Sequence, residues 1–465
     1  MAMIAVKTQR ENKARIAALP QASAPVIPNW KLWGIRWSFS LADPGTTISA
    51  GLLVSLLLAR WLPAQQYGAF ALAFALFLFL GGLHNVLVLE PMSVLGPTSY
   101  QPCLTDYFEA QIWVHLAVAG GLAVPLLLSA ALLALFGYGG PLPGALLGAG
   151  LALPFILLLW LARRTCCILE RPVSAMSAGA GSLVLLLCGL LALQATHKTS
   201  PFTVFLLLGF AALCAALLIF YKLQIGLDET RPCSVSWLSA AAENWRFGCW
   251  QLGGALCFAS LGQTPMLLAP VFLGLAATGR MFAMQLPALL VLQCSVAAAM
   301  LLIPRFAHES FTGSSKRLWQ LAHRVSLSLA GASLFFTALL YFIAAPLERL
   351  LFGGKFAHDA WLIPLFMATP LFAGLASGYS MALRAMQRAQ FDRFATRIAA
   401  AVSVQTAFLF IPLWGLAGAA ISLASGFAVN AAVVYLCFRQ AAANDRKTLP
   451  TQQEHQVASF DHVNA

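Results

Sequence analysis

Two arginines occupy matching places beside apolar stretches that are long enough to cross a bilayer. Arg60 lies at the end of the stretch 43–61, and Arg280 lies directly before the stretch 281–303. A guanidinium group binds phosphate oxygens through two parallel hydrogen bonds, so a pair of arginines can hold a pyrophosphate. The same side chain can instead extend to the lipid headgroups without binding a ligand. We therefore predict Arg60 and Arg280 as candidate anion contacts, with headgroup anchoring as the alternative.

Two carboxylates accompany these arginines at the ends of apolar stretches. Asp43 opens the first stretch, and Glu90 precedes Pro91 near the end of the stretch 67–91. A charged side chain deep in a bilayer costs about 2.5–3.5 kcal/mol on insertion scales, so it usually faces a cavity or a partner. Both are predicted as candidates for ion coupling, and Glu90 also for substrate binding. The alternatives are an N-cap for Asp43 and an interfacial helix end for Glu90.

Uncharged polar side chains complete the candidate set. His84 and Asn85 shortly precede Glu90, and three glutamines fall in or beside later stretches, at Gln251, Gln285 and Gln293. Gln285 and Gln293 are eight residues apart, which places them near one face of a helix. An amide in lipid needs a hydrogen-bond partner, which can be a neighbouring helix, cavity water or a sugar hydroxyl. All five are therefore predicted as candidate substrate contacts, with interhelical hydrogen bonding as the alternative.

Apolar helices must position these residues. Hydrophobic residues make up 60% of the chain, charged residues 9%, and the mean hydropathy is +0.80. A soluble domain carries about 25% charged residues, and a membrane-spanning helix needs about 20 apolar residues. The sequence predicts an all-α, polytopic membrane protein with about twelve transmembrane helices, at 43–61, 67–91, 110–136, 143–163, 173–195, 202–222, 246–268, 281–303, 325–346, 360–383, 394–412 and 415–438.

The basic residues fix the predicted orientation. Most of the 28 lysines and arginines fall in the N-terminal tail or after even-numbered stretches, at one side of the membrane. Under the positive-inside rule both termini are then cytoplasmic. Because the net charge of +12 is concentrated at helix ends, we do not predict a nucleic acid partner.

The two halves of the chain resemble each other. The turn after the first stretch contains Tyr67 followed by Gly68, and the turn after the seventh contains Thr278 followed by Gly279. Parallel repeats of this kind are typical of transporters whose substrate path lies between the halves. The predicted organisation is a cytoplasmic tail and interfacial segment (1–42), a six-helix lobe (43–222), a cytoplasmic linker (223–245), a second six-helix lobe (246–438) and a disordered cytoplasmic tail (439–465).

The segment 56–80, LLLARWLPAQQYGAFALAFALFLFL, resembles the opening of bacterial polysaccharide-biosynthesis membrane proteins. These are the Wzx-like oligosaccharide flippases of the multidrug/oligosaccharidyl-lipid/polysaccharide (MOP) exporter superfamily. The resemblance implies a bacterial inner-membrane transporter that flips an undecaprenyl-pyrophosphate-linked oligosaccharide to the outer leaflet for surface polysaccharide biosynthesis. It also implies membrane lipids as partners, together with a polysaccharide polymerase or glycosyltransferases.

Several motifs of enzymes are missing from the sequence. It contains no G-x-x-x-x-G-K-[ST] phosphate loop and no H-E-x-x-H zinc motif. The longest loop predicted outside, about 347–359, is too short for an active site. We predict neither an enzyme nor a cofactor. A cation-coupled multidrug exporter of the same superfamily is the main alternative, since Asp43 and Glu90 suit an organic cation, and an integral-membrane polysaccharide enzyme is a weaker one.

Overall fold

The computed structural model describes residues 51–225, 235–311 and 315–461, and all regular secondary structure in these ranges is helical. The first half contains six helices, which we number α1 to α6: Gly51–Trp61, Ala64–Ser99, Leu104–Leu135, Leu142–Ile168, Pro172–Ala195 and Pro201–Leu223. Asp43 lies outside the described residues.

The second half begins with four helices, α7 to α10: Trp237–Leu273, Leu275–Phe311, Ser315–Phe352 and Leu362–Ala385. A last segment, Ala389–Asp461, is broken at Gly415, where φ is 58° and ψ is −130°. This left-handed conformation favours glycine, and it separates α11 (389–414) from α12 (416–461).

The predicted fold class is confirmed. Among the described residues ten segments are long and apolar enough to cross a membrane, and the last of them contains the break at Gly415. Helix α1 is apolar too, but its described part is shorter than a membrane span. We call α1–α6 the first lobe and α7–α12 the second lobe. The basic end of the bundle is the end that carries the α4–α5 and α10–α11 turns, with Arg163, Arg164, Arg384 and Arg388.

Several predicted boundaries are wrong, at the end of α2, the start of α7, the end of α8 and the start of α9. Helix α2 continues to Ser99 instead of ending near residue 91, because a π-helical turn at Asn85–Leu89 precedes Pro91. Pro91 then falls in the first turn of the next α-helical segment, where its missing N–H is tolerated. Helix α7 begins at Trp237 instead of 246, since hydropathy marks the apolar part of a helix and not its polar start.

The two turns predicted as repeat counterparts pack against each other at the end of the bundle opposite the basic end. A Cβ atom on Gly68 would overlap the carbonyl oxygen of Leu275, and a Cβ atom on Gly279 would overlap that of Ala64. The backbones of α2 and α8 therefore approach as closely as glycine allows. Tyr67 is buried beside Gly68.

A lysine from the second lobe reinforces this contact. Lys355, in the loop after α9, donates hydrogen bonds to the carbonyl oxygens of Ala59, at 3.3 Å, and Leu62 at the end of α1. Burial lowers the pKa of the Lys355 amine from its usual value. We call the glycine contact together with this lysine the interlobe junction.

The lobes also meet nearer the basic end, through the first turns of α7. Gly248 lies against the carbonyl oxygen of Val86 in the π-helical turn of α2. Asn244 exchanges two hydrogen bonds with Gln111 of α3, at 2.9 and 3.2 Å, and both side chains are buried. Helix α7 thus packs on the first lobe with its first turns and on α11 and α12 with its later turns.

Candidate functional site

Arg60 and Arg280 both lie beside the interlobe junction, in different electrostatic surroundings. Arg60 is exposed at the end of α1. Arg280 donates a hydrogen bond to the carboxylate of Asp359 at 3.2 Å, and the Asp359 side chain is only 10% exposed. Part of the charge of Arg280 is thus neutralised within the second lobe. Their role as pyrophosphate contacts stays a prediction.

Glu90 and Asn85 interact across the π-helical turn of α2. The Asn85 side-chain amide donates to the Glu90 carboxylate at 3.1 Å. Residues five apart lie on different faces of an α-helix, but a π-helical turn, with its i to i+5 repeat, brings them to one face. The carboxylate of Glu90 therefore points to the same side of α2 as Asn85. Its role in ion coupling or substrate binding stays a prediction.

His84 belongs to a buried polar cluster. Its Nε2 atom lies 2.9 Å from Nδ1 of His115, and Nε2 of His115 lies 3.2 Å from the carbonyl oxygen of Pro154 in α4. Both imidazole rings are fully buried. One helical turn before His115, Gln111 forms the amide pair with Asn244 of α7. The cluster links α2, α3, α4 and α7.

Sequence reasoning selected only His84 from this cluster. Gln111 and His115 are four residues apart, a spacing that places both on one face of α3 and gives a usable signal. Asn244 fell within the predicted linker 223–245. Hydropathy did not place Asn244 in a helix, so its contact with α3 could not be predicted.

The three candidate glutamines lie in α7 and α8. Gln285 is buried, and Gln251 and Gln293 are half-buried. Within the described ranges none of the three side chains forms a hydrogen bond with another residue. Their amides retain their hydrogen-bonding capacity, as a sugar contact would require, and the predicted role is untested.

A basic cavity between α8 and α9 was not predicted. Its volume is about 430 Å³, and it lies at the basic end of the bundle. It is lined by three arginines, one glutamate, two uncharged polar residues and four apolar ones: Arg305, Arg317, Arg324, Glu309, Gln320, Ser328, Leu302, Leu321, Val325 and Leu329. We call this the arginine cavity. Its arginines outnumber its single carboxylate, so it suits an anion.

Arg384, at the basic end, is held in an ion pair. Arg384 binds the carboxylate of Asp392 through two nitrogens, at 2.8 and 3.1 Å. In the turn between α2 and α3, Tyr100 donates to Glu243 of α7 at 3.0 Å. Burial raises the pKa of Tyr100, and the bond to Glu243 and its charge add to this.

The fold is shared with known membrane transporters. No family model matches the chain, and no curated protein sequence matches it. Among solved structures, it is similar to an inward-facing multidrug resistance MATE family transporter of the MOP superfamily, at 14% identity over 87% of this chain and 96% of that one, with a TM-score of 0.72.

Two further structures show the same architecture. The outward-facing conformation of a MATE family transporter of the MOP superfamily gives a TM-score of 0.59 at 15% identity, over 89% of this chain and 97% of that one. The lipid II flippase MurJ, in an inward closed conformation, gives a TM-score of 0.63 at 12% identity, over 89% of this chain and 91% of that one. At these identities the likeness establishes the fold, which is that of polytopic transporters of the MOP type.

Proposed function

We propose that this protein moves a lipid-linked oligosaccharide, joined to its lipid through a pyrophosphate, from the inner to the outer leaflet of a bacterial inner membrane. It does so by alternating access between two six-helix lobes. Its fold is that of MurJ, a lipid II flippase, and of MATE transporters. The observation that carries the proposal is the arginine cavity between α8 and α9.

The arginine cavity combines the two chemistries that a lipid pyrophosphate presents. Arg305 and Arg324 are exposed and supply guanidinium groups for phosphate oxygens. Leu321, Val325 and Leu329 form an apolar wall beside them, suited to the start of a lipid chain. A soluble anion has no apolar chain that could contact these three side chains.

The surroundings of the cavity suit access from lipid. Leu301 and Ile303, next to the cavity residues of α8, are 55% and 51% exposed, and Leu327 of α9 is 51% exposed. Large apolar side chains exposed on membrane helices suit contact with lipid. A lipid-linked substrate can therefore reach the arginines sideways from the bilayer. The basic end then lies in the cytoplasm, in accord with the positive-inside rule.

The interlobe junction provides the second element of alternating access. With the basic end in the cytoplasm, the contact between Gly68 and Gly279 closes the outer side. The higher TM-score with the inward-facing MATE structure than with the outward-facing one agrees with this closure. Export requires this glycine contact to open.

A multidrug exporter is the second candidate, favoured by the likeness to MATE transporters. Such a protein needs carboxylates that can receive an organic cation. Asp359 and Asp392 are paired with Arg280 and Arg384. Glu90 keeps its charge, since its partner Asn85 is neutral. We favour an anionic cargo because the arginine cavity holds more arginines than carboxylates.

The test is complementation of a deletion strain. Deletion should abolish or shorten the surface polysaccharide, with lipid-linked repeat units accumulating on the inner leaflet. A variant carrying both Arg305→Ala and Arg324→Ala should reduce export about tenfold or more, since each charged hydrogen bond contributes about 1.5–3 kcal/mol. The corresponding Lys variant should retain part of it, because charge survives without the bidentate geometry.

Arg349→Ala is the matched control, because Arg349 is exposed on the same helix, α9, at the opposite end. It should export normally. Normal export by the double Ala variant at normal membrane abundance would refute the assignment of the arginine cavity. Intact surface glycans in the deletion strain, with new sensitivity to cationic drugs, would favour the multidrug exporter instead.

A further inference from the structure

The buried histidine pair of the first lobe contains one ring nitrogen without a partner. Nδ1 of His84 is inaccessible to solvent and forms no hydrogen bond with any described residue. The other three ring nitrogens of the pair are engaged, in the contact between His84 and His115 and in that between His115 and Pro154. An unpartnered polar atom in a fully buried ring calls for a physical reason.

The hydrogen bonds assign the protons of both neutral rings. A carbonyl oxygen only accepts, so Nε2 of His115 carries a hydrogen and donates it to Pro154. Nδ1 of His115 is then unprotonated and accepts from Nε2–H of His84. Nδ1 of His84 is left as an unprotonated lone pair. This nitrogen is the one place in the pair where a proton can be added without breaking a hydrogen bond.

We propose that Nδ1 of His84 is a proton-binding site that couples proton movement to the rearrangement of the two lobes. Binding converts the His84 ring to an imidazolium that still donates to His115. This inference rests on the alternating access of the proposed function, but not on the identity of the cargo.

The site is connected to the contact between the lobes. His115 lies one turn from Gln111, whose amide pairs with Asn244 of α7. On the other side, His84 directly precedes the π-helical turn, whose Val86 carbonyl meets Gly248 of α7. A charge created at His84 thus acts on both surfaces that hold the first turns of α7 to the first lobe.

The charged and histidine side chains on the helices that pack around the pair are Glu90 on α2, Asp106, Glu109 and His115 on α3, Arg163 and Arg164 on α4, and Glu243 and Arg246 on α7. A buried imidazolium is unfavourable without water or a counter-charge. Protonation should therefore loosen the packing of α7 on α2 and α3, so that water or the Glu90 carboxylate can reach the ring.

Hydrogen–deuterium exchange on the purified full-length protein tests this without any substrate. After correction for intrinsic exchange, the backbone amides of 238–250 should exchange several-fold faster at pH 5.5 than at pH 7.5. His84→Gln should abolish this difference, because Gln retains an N–H donor for His115 but does not titrate. His115→Asn should preserve it, because the Asn oxygen still accepts from His84 Nε2–H.

His197→Asn is the control. His197 is exposed in the α5–α6 turn with φ of 56°, a conformation that Asn tolerates. This variant should show the same pH-dependent exchange of 238–250 as the natural protein. An equal response in His84→Gln, or no response in the natural protein, would overturn the proposal. If His115→Asn abolished the pH-dependent difference and His84→Gln kept it, the proton would bind to His115. That result would also overturn the proposal. If His84→Gln does not fold, the natural protein can still refute the proposal, since equal exchange of 238–250 at the two pH values would overturn it.

Discussion

Adding one methyl group at Gly68 should shift the protein away from the conformation with a closed interlobe junction. A Cβ atom there overlaps the backbone carbonyl of Leu275, which cannot rotate aside as a side chain would. Overpacking of this kind costs about 1–3 kcal/mol. A free-energy change of that size alters the ratio of closed to open junctions by about 5- to 150-fold. Gly279→Ala should act in the same direction, since its Cβ meets the carbonyl of Ala64.

Single-molecule fluorescence transfer can measure this ratio. Labels at residues 139 and 358, in loops of the first and second lobes at the junction end, should report a larger fraction of long distances in Gly68→Ala. Gly262→Ala is the matched control, because Gly262 lies in α7 and a Cβ there meets no atom within 4 Å. It should leave the distribution unchanged.

The double variant adds a stringent check. Gly68 and Gly279 share one contact, so the combined change should be smaller than the sum of the two single changes. Unchanged distances in both single variants, at normal folding, would refute the role of the glycine contact in closing the junction. A shift of the same size in Gly262→Ala would show that the effect is not specific to it.

Two further predictions concern α7 and the orientation of the chain. Either Gln111→Leu or Asn244→Leu alone should destabilise the fold by about 1–3 kcal/mol, because each leaves a buried amide unpaired, while the double variant should be nearer neutral; thermal unfolding of the purified variants measures this, and additive losses would contradict it. Reporter fusions at Gly139 and Arg446 should report opposite compartments, with the latter cytoplasmic, and a shared compartment would contradict the proposed topology.

Hydropathy and turn residues were sufficient to predict most of the helices. Helix α6 begins at Pro201, one residue before the predicted stretch 202–222, and Ser200 accepts a hydrogen bond from the Thr203 backbone at its N-cap. The similarity of the two turns at Gly68 and Gly279 was visible in the sequence. Their direct contact was not, because a repeat indicates equivalent places and not which of them meet.

The arginine cavity and the histidine pair could not be predicted from the sequence alone. Arg305 and Arg324 lie on different helices, and in the sequence each resembles an ordinary basic helix end. His84 and His115 meet only because α2 and α3 pack in one particular rotation, which the nearly uniform apolar faces of these helices do not encode. The π-helical turn after His84 has no signal in hydropathy.

Translocation in reconstituted vesicles tests the central claim most directly. Purified protein would be placed in liposomes containing a fluorescent, pyrophosphate-linked oligosaccharyl lipid, and the label exposed on the outer leaflet would be bleached chemically over time. We predict that the protein makes lipid from the inner leaflet accessible, and that the Arg305→Ala, Arg324→Ala double variant loses this activity while Arg349→Ala keeps it. Vesicles in which the natural protein moves a cationic dye but leaves the oligosaccharyl lipid in place would contradict the account.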